Sequence, residues 1–147
     1  MELFSDEYFM KEALKEAQLS LKKDEVPVGA VVVCNNKIIG RGHNLTEKLN
    51  DVTAHAEMQA ITAASNYLGG KYLIDCTLYV SLEPCVMCAG ALYWSQISRV
   101  VYAASDPKRG FSLLNKSILH PKTNLEKGIL ADEASVLIKE FFITKRK

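Results

Sequence analysis

The chain has 147 residues, of which 48% are apolar, and carries a formal net charge of +1 at pH 7. This length can bury one sizeable hydrophobic core but is too short for two comfortable domains, so we expect one domain over residues 1–147. A net charge so close to zero excludes a global attraction to nucleic acid or to a membrane. Any surface of the protein that binds either one must therefore be a local patch.

The chain shows no export or membrane-spanning segment. Its first residues, "MELFSDEYFMKEALKEAQ", mix acids with apolar residues and lack the basic stretch and apolar core of a signal peptide. No apolar run approaches the roughly 18 to 20 residues that a transmembrane helix requires. We therefore expect a cytoplasmic protein with no membrane partner, in a compartment that keeps thiols reduced.

The first half of the chain predicts a helix, a β-hairpin and a second helix. Ser5 is a suitable N-cap, and apolar residues then recur at helical spacing over about residues 6–22. The runs "VPVGAVVVC" and "KIIGRGHN", joined by "NN", predict two antiparallel strands. Thr53 is a candidate N-cap for a helix through "AHAEMQAITAASNYL", which Gly69 and Gly70 should end.

The second half predicts two strands, "CTLYVSL" and "RVVYAAS", separated by a helix "PCVMCAGALYW" with Pro84 in its first turn. The segment "DPKRGFSLLNKSILHPKTN" is rich in turn residues and predicts a short helix at most. A last amphipathic helix should run from Leu130, opened by Asp132 and Glu133 and closed by the basic "KRK". Strands that alternate with helices predict an α/β fold whose sheet is covered by helices.

Two short motifs contain residue types that bind metal. In "PCVMC", Cys85 and Cys88 are three positions apart at a helix start, so both sulfurs lie on one face. The positive end of the helix dipole favours thiolates, the form that binds metal. His55 begins another helix, so two helix starts can converge on one ion, and this ligand set suits Zn²⁺. A redox-active C-x-x-C pair would have thioredoxin-like surroundings, which this chain does not show.

The number of ligands separates a catalytic zinc site from a structural one. Structural zinc has four protein ligands, whereas catalytic zinc keeps three and leaves a position for water. The sequence leaves a fourth ligand open among the remaining histidines and cysteines: His43, His120, Cys34 and Cys76. Glu57 favours catalysis, because two residues after His55 its carboxylate can reach a zinc-bound water without occupying the metal. For Cys34 and Cys76 we favour a role as small buried hydrophobic residues.

The order H-x-E, then P-C-x-x-C, is the signature of zinc-dependent base deaminases. Through "HAEMQAI" and "LEPCVMCAGAL" the chain resembles the cytidine deaminase-like superfamily. Through "EVPVGAVVV", "GHN", "TAHAE", "RVVYAASDPKRG" and "GILADEASVLIKEFF" it resembles bacterial tRNA-specific adenosine deaminases over about residues 5–146. The resemblance implies a three-layer α/β/α fold with a five-stranded mixed sheet, a homodimer and Zn²⁺. It also implies that the wobble adenosine in the anticodon loop of a tRNA is converted to inosine with release of ammonia.

The resemblance also implies roles for individual residues. His55, Cys85 and Cys88 match the zinc ligands, and Glu57 matches the proton shuttle. The implied substrate contacts are Asn44 to the base or its sugar, Val28 in the pocket wall, and Asp106 and Lys108 to ribose and phosphate. Residues 109–128 depart from the Ala/Gly/Ser-rich stretch of the family, which leaves their RNA contacts open.

Two alternative functions stay open from the sequence. "GALYW" is similar to guanine deaminases, so a guanine or other free-base or nucleoside deaminase with the same zinc site is one alternative. The other is a zinc-stabilised binding domain without catalysis, against which Glu57 argues. Local cations that favour RNA are Lys108, Arg109, Lys116, Lys122, Lys145, Arg146 and Lys147. The basic residues of the C-terminal tail fit contacts to phosphates and the ordinary pairing of cations with a helix end equally well.

Overall fold

The structure is a computed structural model that describes residues 4–114 and 116–145. In chain order its elements are α1 (Asp6–Lys22), β1 (Gly29–Cys34), β2 (Lys37–His43), α2 (Ala56–Leu68), β3 (Cys76–Leu82), α3 (Val86–Ser95), β4 (Arg99–Ala104), a 3-10 turn (Phe111–Leu113), β5 (Asn124–Lys127) and α4 (Ala131–Lys145). Among the described residues, no helix combines the length and the apolar character needed to cross a bilayer.

The five strands form one mixed sheet in the order β2-β1-β3-β4-β5. β1 pairs antiparallel with β2 and β3, whereas β4 pairs parallel with β3 and β5. The edge strand β5 has four exposed residues and lies in a region where the residue pattern alone predicted no strand. Its pairing with β4 completes the five-stranded mixed sheet that the family resemblance implied.

The strands bury side chains on both faces of the sheet, which the alternation in β1 shows. Ala30 and Val32 pack in one apolar cluster with residues of α2 and α3. Val31 and Val33 pack in a second cluster with residues of α1 and α4. Successive side chains of a strand point to opposite faces, so helices cover both sides of the sheet. The predicted three-layer α/β/α fold is confirmed.

Two predicted helix starts are wrong. Thr53 does not cap α2, because its backbone N–H and its hydroxyl both donate to Oδ1 of Asp51, at 2.8 and 2.7 Å, and hold it in a turn. The N-cap of α2 is His55, and the N-cap of α3 is Cys85, so Pro84 precedes the helix instead of lying in its first turn. The predicted basic end of α4 falls partly at residues 146–147, which lie outside the described residues.

Helix α2 lies directly against strand β2 because two glycines of β2 leave space for it. A Cβ atom at Gly42 would lie 2.4 Å from the carbonyl oxygen of Ala56, and one at Gly40 would lie 2.4 Å from that of Ala60. Any side chain at these positions would force the helix away from the sheet. The contact at Gly42 therefore fixes the first turn of α2 relative to the end of β2.

An ion-pair network ties the start of α1 to the sheet. Arg99 donates to both carboxylate oxygens of Asp6 at 2.7 Å and to Oε2 of Glu126 at 2.6 Å. The hydroxyl of Tyr79 donates to Oδ1 of Asp6 at 2.7 Å. The Arg99 guanidinium, followed by the Tyr79 hydrogen bond, holds the pKa of Asp6 below its ordinary value, although partial burial opposes the shift.

We predict that Asp6→Asn lowers the free energy of unfolding by about 1–3 kcal/mol at pH 7, the usual worth of a hydrogen bond to a charged group. Since the folded pKa of Asp6 is depressed, its contribution is present above the unfolded value, near 3.8, and is lost as the pH falls through the folded value. Urea unfolding at pH 7 and pH 3 measures both effects.

The matched control for this prediction is Asp75→Asn, since Asp75 is exposed and lies in a turn with positive φ that asparagine also adopts. We expect this variant to unfold like the wild type at both pH values. Equal stability of Asp6→Asn and the wild type at pH 7 would contradict the stabilising role of the network.

Candidate active site

Two helix starts meet at the carboxyl-terminal edge of the sheet. His55 and Cys85 are the N-caps of α2 and α3, both with extended backbone, and neither side chain makes a capping hydrogen bond to its own helix. The imidazole and the sulfur are therefore free to point towards a shared position. Cys88 lies in the first turn of α3 and is fully buried. The positive ends of both helix dipoles favour anionic ligands here.

The distances among these three side chains match a tetrahedral zinc site. Nδ1 of His55 lies 3.6 Å from Sγ of Cys85 and 3.5 Å from Sγ of Cys88. Zinc bonds of about 2.3 Å to sulfur and 2.0 to 2.1 Å to nitrogen, at tetrahedral angles, separate the two ligand atoms by about 3.6 Å. The donor set and its geometry both fit Zn²⁺.

The other histidines and cysteines lie elsewhere, so the described cluster holds three ligands. His43 bonds through Nδ1 to Oε1 of Glu16 at 3.0 Å. His120 accepts from a backbone N–H of its own turn. Cys34 and Cys76 oppose each other across β1 and β3, and Cys76 begins β3, whereas the cluster follows the end of that strand. Among the described residues, three ligands leave one tetrahedral position for water, as in catalytic zinc sites.

The cysteine pair favours anion formation at the cluster. Hydrogen bonds, first from Cys88 and then from His55, lower the pKa of the Cys85 thiol to about 3. The bond to Cys85 and burial raise the pKa of Cys88. Cys85 is therefore a thiolate at neutral pH, whereas Cys88 keeps its proton until a bound metal replaces it.

Glu57 lies beside the cluster, in the first turn of α2. Only 3% of its surface is exposed, and burial raises its pKa to about 7. The backbone N–H of Glu57 opposes this shift, the charge of Cys85 acts in the same direction as burial, and the charge of His55 lowers the pKa. A carboxyl group that titrates near neutrality can both accept and donate a proton, as a proton shuttle must.

Asn44 and Val28 lie side by side where the β1–β2 hairpin opens. The backbone N–H of Asn44 donates to the carbonyl of Val28 at 3.1 Å, and the hydroxyl of Ser20 donates to the carbonyl of Asn44 at 2.9 Å. The side chain of Asn44 is buried, and its Oδ1 has no hydrogen-bond partner among the described residues. An unpaired buried amide oxygen is costly, so this atom requires a donor from a ligand or from water.

Glu25 is a buried carboxylate that the sequence analysis missed. It is 1% exposed and accepts backbone N–H groups from Glu47 at 3.1 Å and from Lys48 at 2.8 Å. These bonds fix the loop between Asn44 and His55. In the sequence Glu25 follows two lysines and an aspartate, a pattern typical of a solvated helix end, and only the "VPVGA" that follows signals burial.

Asp106 and Lys108 lie on the loop that follows β4. The last residues of the parallel strands β3 and β4 pair with each other, so this loop leaves the sheet at the same edge as the cysteine pair. Oδ1 of Asp106 accepts the N–H groups of Lys108 and Arg109, both at 3.1 Å, and so closes a turn. The Asp106 side chain therefore shapes the loop, a role that the sequence did not predict, while the Lys108 side chain is exposed.

Comparison with known proteins identifies the family. The sequence profile of the cytidine and deoxycytidylate deaminase zinc-binding region matches residues 4–104. A tRNA-specific adenosine deaminase of Aquifex aeolicus is 48% identical over 141 residues, which are 92% of this chain and 93% of that protein. The chain belongs to the family of tRNA-specific adenosine deaminases. The members of this family are hydrolases, and Zn²⁺ is the cofactor that the zinc-binding region and the His-Cys-Cys cluster share.

This member of the tRNA-specific adenosine deaminase family is similar to solved structures of a tRNA deaminase and of a guanine deaminase. A tRNA:A34 deaminase that edits the wobble position has a TM-score of 0.81 and 40% identity, over 88% of this chain and 98% of that one. A guanine deaminase from Bacillus subtilis has a TM-score of 0.65 and 44% identity, over 67% of this chain and 64% of that one. The similarity to the tRNA deaminase thus extends over more of both chains.

We predict that Cys88→Ala lowers the zinc content from about one ion per chain to a small fraction of that value, because a two-ligand site binds zinc weakly. The matched control is Cys34→Ala, which removes a thiol outside the cluster and should leave the zinc content unchanged. Elemental analysis after dialysis measures both. Full zinc content in Cys88→Ala would refute the three-ligand site.

Proposed function

We propose that this protein is a single-domain, zinc-dependent hydrolytic deaminase that converts the wobble adenosine of a tRNA anticodon to inosine and ammonia. The observation that carries the proposal is the three-ligand His55, Cys85 and Cys88 cluster with the buried Glu57 carboxyl group beside it. The family membership and the A34 activity of the similar solved structure support this substrate.

In the proposed reaction, water adds to C6 of adenine and the bond from C6 to the exocyclic nitrogen breaks. Zinc held by the cluster supplies Lewis acidity, which brings the pKa of a bound water towards about 7. Glu57 removes a proton from the attacking water and donates it to N1 of the base. Glu57 then takes the remaining proton from the new hydroxyl group on C6 and delivers it to the departing amine, so that adenosine and water yield inosine and ammonia.

The substrate contacts that we propose surround this centre. Val28 forms part of the wall of the base pocket, and the buried amide of Asn44 accepts from or donates to the target nucleotide through its unpaired oxygen and its amino group. Asp106 and Lys108 contribute the loop that faces ribose and phosphate. A base can reach such a pocket only when it leaves the stack, which costs little in a single-stranded anticodon loop.

A cleft lined by equal numbers of basic and acidic residues lies next to the hairpin opening. It has a volume of about 500 Å³ and lies between the end of α1, the loop after Asn44 and the end of α4. Its charged lining residues are Lys23, Lys48 and Lys145, together with Asp24, Glu25 and Glu47. Lys145 pairs with Asp24, and its amino group lies 5.7 Å from the ring centroid of Phe141. The Nζ of Lys23 bonds to Nε2 of His43 at 2.9 Å, so Lys23 and Lys145 would have to exchange their present partners to contact the phosphates of neighbouring nucleotides.

A free-base deaminase is the second candidate. The guanine deaminase from Bacillus subtilis is 44% identical over the part of the chain that aligns with it, and the chemistry at zinc is the same for both substrates. A zinc-stabilised binding domain is the candidate from another class. The buried Glu57 argues against it, because a structural site gains nothing from a costly buried carboxyl group beside the metal.

We further propose a cytoplasmic homodimer that associates through α3. Its surface carries Val86, 49% exposed, and Trp94, 76% exposed, with Tyr93 beside them. A Cβ atom at Gly90, on the same face, would meet nothing within 4 Å, so a flat area lies between the larger side chains. Exposed apolar surface of this kind is typical of a protein interface, and aromatic residues are enriched in such interfaces.

We expect the zinc-loaded protein to convert the wobble adenosine of an anticodon stem-loop to inosine, and Glu57→Gln to slow this conversion by about 100-fold or more, as loss of a general acid–base does. Nucleoside analysis by mass spectrometry measures inosine. Glu57→Gln should retain zinc and its unfolding temperature. The control Glu7→Gln, which changes an exposed residue of α1, should keep full activity.

The same assay separates the candidate substrates when free guanine is offered in parallel. Xanthine from guanine, without inosine from the stem-loop, would overturn the tRNA proposal and favour the free-base deaminase. Rising salt should weaken the stem-loop reaction steeply, because phosphate contacts release counterions, and should leave a free-base reaction nearly unchanged. Neither product from zinc-loaded protein would favour the binding domain.

For the dimer, we predict that Trp94→Glu converts the protein to a monomer, since a charge at the centre of an apolar interface loses its hydration on association. Sedimentation velocity at several concentrations measures the mass. Val136→Glu introduces the same charge at a half-exposed position of α4 and should remain dimeric. A monomeric wild type, or a dimeric Trp94→Glu, would contradict the assigned interface.

A further inference from the structure

Glu83 is a buried carboxylate that the reaction described above does not use. It follows β3 directly and precedes the cysteine pair by two residues, and 3% of its surface is exposed. Each oxygen accepts one backbone N–H: Oε1 from Asp106 at 3.0 Å and Oε2 from Ser112 at 2.9 Å. It forms no ion pair within residues 4–114 and 116–145. Backbone N–H groups of one loop therefore replace the hydration that this carboxylate loses on burial.

Gly110 shows how closely this loop fits the carboxylate. A Cβ atom there would lie 2.3 Å from Cδ of Glu83 and 2.4 and 2.5 Å from its two oxygens. The backbone of Gly110 is not in the left-handed region, so glycine is required for space and not for its dihedral angles. A larger residue would displace either the carboxylate or the loop.

The main chain reinforces the same contact on both sides. The N–H of Glu83 donates to the carbonyl of Ala104 at 2.8 Å, and the N–H of Phe111 donates to the carbonyl of Pro84 at 3.0 Å. Residues 106–112, which we term the β4 loop, therefore wrap around the segment that leads from β3 into the cysteine pair. The carboxylate lies inside this loop and bonds to its first and last residues.

We propose that Glu83 is a positioning residue that fixes the β4 loop, and with it Asp106 and Lys108, relative to the zinc cluster. One rigid segment, Glu83 to Cys85, then sets both the metal position and the position of the loop that faces the substrate. This inference rests on the proposed function in one respect, namely that the β4 loop contacts ribose and phosphate.

A merely structural role of Glu83 gives different expectations. It would lower the unfolding temperature and leave the KM of the folded enzyme unchanged. If Glu83 acted only through its charge, its neutralisation would lower the KM for RNA, because removal of a negative charge strengthens the binding of an RNA polyanion. The positioning role predicts a higher KM. Weaker RNA binding after neutralisation of Glu83 therefore supports positioning and neither of the other two explanations.

The test is Glu83→Gln in the full-length, zinc-loaded protein. Glutamine keeps the shape of the side chain, but its NH2 group cannot accept a hydrogen bond from a backbone N–H, so one of the two contacts to the loop is lost. We expect the KM for the anticodon stem-loop to rise about 10-fold, the effect of losing one hydrogen bond to a charged group, with kcat nearly unchanged. Zinc content should stay the same, and amide hydrogen exchange at Asp106 and Ser112 should accelerate.

Gly110→Ala perturbs the same contact from the side of the loop and should raise the KM in the same way. The two changes should combine non-additively in the double variant, since they disrupt one interaction. Gly70→Ala, where a Cβ meets nothing within 4 Å, and Asp75→Asn, which removes an exposed charge, are the controls and should behave as the wild type.

Wild-type KM and wild-type amide exchange in a folded Glu83→Gln would overturn the proposal. So would a lower unfolding temperature accompanied by an unchanged KM. Failure of the proposed function appears separately, as a wild type that produces no inosine. In that case amide exchange still decides on Glu83: faster exchange at Asp106 and Ser112, with unchanged exchange in the sheet and helices, supports the positioning role, and any other pattern refutes it.

Discussion

The convergence of two helix starts at one edge of the sheet is the constraint on which the site depends. His55 and Cys85 cap α2 and α3 with extended backbones, and this brings the imidazole nitrogen within 3.6 Å of the sulfur. The contact between Gly42 and the first turn of α2 leaves no room for a side chain, so α2 lies directly against the sheet. The metal site therefore results from close packing at a distance from the ligands as much as from the ligands themselves.

Three of the five buried glutamates among the described residues show how the same side chain serves different purposes. Glu25 and Glu83 each accept two backbone N–H groups from a loop, so each loop is fixed by a carboxylate inside it. Glu57 lies instead near the His-Cys-Cys cluster, and burial raises its pKa to about 7. A carboxylate that is fully hydrogen-bonded by the backbone stabilises a loop, whereas one with a raised pKa can exchange protons with a substrate.

The sequence predicted the chemistry of this site better than its surroundings. The spacing in "TAHAEMQ" and "PCVMC" was sufficient to predict that His55, Cys85 and Cys88 form one cluster and that Glu57 lies near it, because neighbours on one helix turn follow from local geometry. The strand β5 was not apparent from its residues, since all four are exposed and only pairing with β4 defines it. Glu25 and Glu83 were missed for a related reason: their partners are backbone groups of loops more than twenty residues away in sequence.

The difference between the reaction centre and the loops around it also bears on the choice of substrate. Chemistry at zinc is common to enzymes that act on RNA and on free bases, so the His-Cys-Cys cluster and Glu57 do not discriminate between them. Under the proposed function, discrimination comes from the loops that hold Asn44 on one side and Asp106 and Lys108 on the other. Both loops bond to a buried carboxylate, and each also buries an apolar residue, Ala54 in the first loop and Phe111 in the second. Under the same proposal, a change at Glu25 or Glu83 acts on these loops and therefore on substrate binding more than on the chemistry at the metal.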